Sequence, residues 1–156
     1  MDGLGYACAL VLAAVFVRAG AAKLARPVET AASFAALGVP APGLLARAVP
    51  FVELLVAAAL IAEPRAGGLV ALLLLVGFSG FLVRAVRAGS QAPCNCFGSV
   101  RADPVSSVDV ARDLLFGILA ATSLAAPGPT RPSVFDVVVV AVACAAGAGA
   151  LAAARR

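Results

Sequence analysis

The chain has 156 residues, of which 63% are hydrophobic and 13% charged, with a mean hydropathy of +1.06. Soluble domains run about 45–50% apolar and about 25% charged, and a chain this short leaves much of its surface against solvent, so that solvent must be largely lipid. The net charge of +4 does not indicate nucleic acid, because the basic residues stand at the ends of apolar runs and not in a patch interleaved with aromatics; with no histidine, imidazole catalysis, His-ligated haem and His-containing zinc sites are excluded.

A spanning helix needs about 20 mostly apolar residues. Five stretches approach that length: 4–24, 43–62, 67–86, 108–126 and 134–154. The first is not read as a cleavable leader, because Met1-Asp2-Gly3 carries no positive charge and the run ends in Lys23 and Arg26. Between the first two spans, Ala31, Phe34, Ala35 and Leu37 predict a short interfacial helix stopped by Gly38 and Pro40. Glu63-Pro64-Arg65-Ala66-Gly67 and the Pro127-Gly128-Pro129 segment with Pro132 predict tight reversals. The longest polar connection is 87–107. The expectation is an all-α membrane protein of one domain, residues 1–156: five transmembrane helices, four forming a core with a fifth added.

Five spans put the termini on opposite sides of the membrane. The face shared by the first loop, the third loop and the C-terminus then collects Arg18, Lys23, Arg26, Arg47, Arg84, Arg87, Arg101, Arg112, Arg155 and Arg156, against Arg65 and Arg131 on the other. The positive-inside rule makes the richer face cytoplasmic. The bias survives removal of Arg18, Lys23 and Arg112, which have reasons of their own to be charged.

The four cysteines are of two kinds. Cys8 and Cys144 stand inside apolar runs, where free cysteine behaves as a small hydrophobe. Cys94 and Cys96 share the polar loop Gln91-Ala92-Pro93-Cys94-Asn95-Cys96-Phe97-Gly98-Ser99. Pro93 biases Ala92 towards extended backbone, and Gly98 permits a turn after the pair. A disulfide between cysteines one residue apart is strained and so relatively oxidising, which suits electron exchange better than a structural staple. The same spacing also admits a soft-metal site such as Cu(I), or two incidental cysteines. Zinc fits poorly, since two thiolates leave half the tetrahedron empty.

Ionisable residues within spans are costly and mark functional candidates. Arg18 and Lys23 fall in the last third of the first span, Glu53 about halfway along the second, and Arg112 with Asp109 and Asp113 in the first turns of the fourth. All are entered from the side that carries Cys94 and Cys96. Basic groups there would raise the thiolate fraction. The competing reading is that Glu53 only neutralises Arg18, Lys23 or Arg112, with the outer residues snorkelling; for Lys23, Glu53 and Arg112 the two readings stay open.

Ala19-Gly20-Ala21-Ala22-Lys23-Leu24 resembles the A-G-x-x-K-L signature of the MauE/DoxX membrane proteins. Glu53, the Cys94-Asn95-Cys96-Phe97-Gly98 loop and the following Arg112-Asp113 are similar to its MauE branch, where C-x-C-F-G recurs. The resemblance covers about residues 18–115. It implies a helical-bundle protein in thiol redox chemistry, with a thioredoxin-like partner, and through DoxX relatives it admits a quinone as cofactor. On that footing Cys94 and Cys96 are the exchanging thiols and Lys23 and Arg112 the thiolate-stabilising cations. Glu53 sets charge balance or relays a proton, and Pro93, Phe97 and Gly98 shape the loop and the partner's approach. Arg18 and Asp113 are further cluster members. The rival functions are soft-metal binding or transport through the same cysteines, for which Met1 is the only methionine, and a non-catalytic scaffold of a membrane redox complex. Disulfide maturation belongs outside the cytoplasm, whereas the charge count sets the loop inside. Either the thiol partner is cytoplasmic or functional arginines bias the count; the count is taken for orientation.

Overall fold

In the computed structural model of the chain, the described residues are 2–90 and 104–126. They form five helices: α1 (Asp2–Ala25), α2 (Pro27–Ala36), α3 (Pro42–Ala62), α4 (Pro64–Arg87) and α5 (Ser107–Ser123). Proline opens α2, α3 and α4, where its fixed φ suits a first helical turn and its missing N–H costs nothing. This moves one boundary. The reversal expected over 63–67 shrinks to Glu63 alone, because Pro64 starts α4 three residues earlier than its apolar run suggests. Among α1, α3 and α4, each is long and apolar enough to cross a membrane. The expectation of five spans is met only in part: α5 has 17 residues, about 26 Å at the helical rise, and carries Asp109, Arg112 and Asp113. The fifth predicted span, 134–154, lies outside the described residues.

The four longer helices form a ring in which α1 packs on α3 and α5, and α4 packs on α3 and α5. Small residues set the contacts. A Cβ at Gly5 would lie 2.7 Å from the Ala126 nitrogen, and one at Gly68 would strike the Ser123 side chain and approach the Ala120 carbonyl oxygen to 3.0 Å. These pairings put the start of α1 and of α4 beside the end of α5, so neighbours run antiparallel in an up-down-up-down bundle. Arg65 Nε ties that end by donating to the Ala126 carbonyl at 2.8 Å. The opposite end collects the last turns of α1 and α4, the first turns of α3 and α5, and α2.

Apolar side chains lie on both sides of the ring wall. Leu12, Phe16, Val56, Leu60, Leu75 and Leu82 fill the interior, while Leu44, Phe51, Leu55, Leu73, Val76, Leu114 and Ile118 point outward and are exposed. That much outward apolar surface suits lipid and not water. Helix α2 packs chiefly on α3. It buries Thr30, Ser33 and Phe34, with Leu37 just past its end, and leaves Ala35 exposed; the inward face is rotated from the expected one. The Thr30 hydroxyl is satisfied by the Arg26 carbonyl at 2.9 Å. Gly38, at φ +73°, ends the helix where expected.

Substitution at the glycine contacts tests this packing. Gly68→Val should lower stability in detergent by on the order of 1–3 kcal/mol through overpacking. Gly77→Ala, with no atom within 4 Å of its new Cβ, should be neutral or stabilise by about 0.5–1 kcal/mol, as read by thermal or denaturant unfolding.

Candidate functional site

Lys23 and Glu53 meet inside the bundle. Lys23 closes the inward stripe of α1, running Ala9, Leu12, Ala13, Phe16, Ala19 at helical spacing; Glu53 sits mid-stripe on α3 among Ala46, Pro50, Ala57 and Leu60. Side chains on a helix lean towards its N-terminus. Because α1 and α3 are antiparallel, Lys23 leans into the bundle and Glu53 leans towards the end where α1 finishes, so each reaches for the other. Lys23 Nζ donates to Glu53 Oε1 at 2.7 Å, with side-chain exposures of 1% and 0%. Glu53 Oε2 has no hydrogen-bond partner among the described residues. The helices can approach because Gly20 has no side chain: a Cβ there would lie 3.0 Å from the Pro50 carbonyl oxygen and 3.2 Å from Leu54 Cγ. Pro50 itself has no N–H to give the Ala46 carbonyl.

A second polar contact joins α4 to α5. The Ser79 hydroxyl donates to Asp113 Oδ2; Asp113 is buried, and its Oδ1 has no hydrogen-bond partner among the described residues. At the mouth of α5, Asp109 Oδ2 accepts from the Ser106 backbone N–H at 3.0 Å and from its hydroxyl at 3.3 Å, closing the first turn in the manner of a capping box. Arg112 donates to the other oxygen of Asp109 at 2.9 Å.

The sequence-predicted residues therefore divide. Lys23 and Glu53 form one buried pair. Asp113 belongs to a different contact, Arg112 pairs within its own helix, and Arg18 is exposed on α1. Pro93, Cys94, Cys96, Phe97 and Gly98 lie outside the described residues. Their flanks, the end of α4 and the start of α5, are at the same end of the bundle as Lys23 and Asp109. Sequence reasoning missed Ser79, whose signal was a lone hydroxyl within the run Val76-Gly77-Phe78-Ser79-Gly80. It also missed Gly20 and Pro50 as the contact that sets the helix spacing.

Comparison with known proteins decides the family. The family model described as "Methylamine utilisation protein MauE" matches residues 1–126. The chain belongs to the MauE family. No curated protein and no solved structure matches it significantly. The match covers all five described helices and the whole 87–107 connection, so the buried pair and the positions of Cys94 and Cys96 in this MauE-family chain fall within it.

Among the described residues, two cavities adjoin this half of the bundle. One, of about 220 Å³, lies among α2, α3 and α4 and is lined by Phe34, Leu37, Val39, Leu45, Val49, Leu73, Leu74, Gly77, Phe78, Phe81 and Leu82. None of those side chains can donate to a quinone carbonyl, so the cavity does not fit a quinone head. The other, about 190 Å³ between α4 and α5, contains Ser79 and Asp113.

Breaking a buried ion pair strands one charge and costs about 3–5 kcal/mol. Glu53→Gln should therefore lower unfolding stability by about that amount, whereas Arg18→Gln, at an exposed position, should change it by less than about 0.5 kcal/mol. Chemical denaturation in one detergent reads both.

Proposed function

We propose that this MauE-family protein is a membrane thiol–disulfide exchange component acting through Cys94 and Cys96. The observation that carries the reading is the family match across residues 1–126, which contains this one closely spaced pair of cysteines. A thiolate of a thioredoxin-like partner attacks the Cys94–Cys96 disulfide, forming a mixed disulfide and releasing the other cysteine as a thiolate. The partner's second thiol then attacks that bond, leaving Cys94 and Cys96 as a dithiol and the partner as a disulfide. Two electrons pass from the partner to the strained pair, and the two protons the partner loses balance the two the pair gains.

The flanking helices support the reading through charge. The thiols are joined in the chain to the end of the bundle that carries Arg26, Arg47, Arg84, Arg87 and Arg112, and positive charge favours thiolate over thiol. Within this proposal Arg112 is the stabilising cation, since it stands in the first turns of the helix that follows the dithiol. Lys23 and Glu53 then act as a positioning pair, because the Lys23 ammonium is already held by a carboxylate in the interior. Pro93, Phe97 and Gly98 shape the approach of the partner. We infer a multi-pass protein of the cell membrane with this end cytoplasmic, by the excess of basic residues, and with α2 along the interface.

Redox titration with thiol-specific mass tagging tests the reading. The wild type should take up two more tags when reduced than when oxidised, the difference falling at Cys94 and Cys96, with one reversible two-electron transition. Cys94→Ser and Cys96→Ser should each abolish it. Arg112→Gln should raise the pH midpoint of alkylation while leaving the tag count unchanged. Failure of the pair to form a disulfide at any poise contradicts the mechanism. Stoichiometric Cu(I) binding lost in either serine variant would instead favour the metal reading.

A further inference from the structure

We propose that the cleft between α4 and α5 is a lipid-facing binding site for a membrane-dissolved molecule with an apolar body and a hydroxyl donor, held by Asp113. The cleft holds about 190 Å³, and an apolar cavity of roughly 150 Å³ already accepts a benzene ring. Its walls are Leu72, Val76, Leu114 and Ile118, and of these Val76, Leu114 and Ile118 are exposed on the outer surface of the bundle. A ligand therefore enters sideways from the bilayer. Gly117 keeps the middle open, since a Cβ there would meet only Leu72 Cδ1, at 3.9 Å.

The polar group in this apolar cleft sets what it takes. Asp113 is 1% exposed, lines the cleft, and has one oxygen engaged by the Ser79 hydroxyl and the other, Oδ1, without a hydrogen-bond partner among the described residues. A buried polar atom left unsatisfied is costly, and a hydroxyl brought by a ligand satisfies it. The Ser79 hydroxyl already donates its hydrogen bond to Asp113, so the site offers a carboxylate acceptor and no spare side-chain donor. That selects a hydroxyl-bearing ligand over one carrying only carbonyls. Two sources share this chemistry, an aromatic hydroquinone and the free hydroxyl of a glycerolipid. The inference is independent of the dithiol.

Binding to the full chain in nanodiscs tests it, on a Cys94→Ser/Cys96→Ser background so that no probe reacts with thiols. Three probes are compared against empty nanodiscs: decylhydroquinone kept anaerobic, decylbenzoquinone, and 1,2-dioctanoylglycerol. At least one hydroxyl probe should bind saturably at one per chain, and the tighter of the two names the source. The benzoquinone, which has the same skeleton without donors, should bind about ten-fold or more weakly than the hydroquinone if the aromatic source is right. Asp113→Leu should weaken hydroxyl binding by about ten-fold or more. Gly117→Leu fills open space, so it should keep the wild-type unfolding transition and abolish binding. The proposal is overturned if neither hydroxyl probe saturates, if benzoquinone matches a saturating hydroquinone, or if folded Gly117→Leu binds as the wild type does.

Discussion

The buried Lys23–Glu53 pair is the constraint on which the rest of this bundle depends. Two helices made almost wholly of apolar residues have little to set their register, since sliding one past the other exchanges one aliphatic contact for another. A charge inside the bilayer is costly unless paired, so an ammonium on α1 and a carboxylate on α3 admit one alignment. That alignment in turn requires close approach, which Gly20 and the Pro50 carbonyl provide. The pair thereby converts two greasy helices into a defined wall, against which α5 packs through α1 and α4 through α3.

The two ends of the ring are built on different principles. Where α1 and α4 begin, small residues seal the bundle: Gly5 beneath Ala126, Gly68 against Ser123, and Arg65 closing over the last carbonyl. Where they finish, the contacts are polar: Lys23 with Glu53, Ser79 with Asp113, and Asp109 with Ser106 and Arg112. The connection that carries Cys94 and Cys96 departs from and returns to this polar end.

Much of this was legible in the residues, and the limits have physical causes. Apolar run length gave α1 and α3 nearly to the residue, and the A-G-x-x-K-L segment together with C-x-C-F-G pointed to the family, with the lysine of the pair inside the first. The α4 start was misjudged because hydropathy does not register proline's preference for a first helical turn, and α2 was rotated because Thr30 can be buried once its hydroxyl bonds the Arg26 carbonyl. The partners of the charges were harder. With acidic groups and cations entering from one side, spacing alone could not choose among Arg18, Lys23 and Arg112 for Glu53. Helix direction chose, since only Lys23 sits on the inward stripe of α1 with its side chain leaning towards Glu53. Ser79 escaped notice because a lone serine in a lipid-facing run carries no pattern.

A double-mutant cycle on Lys23 and Glu53 tests the central claim most directly. Lys23→Met and Glu53→Leu should each destabilise the protein in detergent by about 3–5 kcal/mol, and the double variant should recover most of that loss, because an apolar pair of similar volume strands no charge. A coupling energy of about 2 kcal/mol or more is the predicted result. Single losses that add to within about 0.5 kcal/mol in the double variant would show the two residues to be energetically independent, and would contradict the account of how this bundle is held in register.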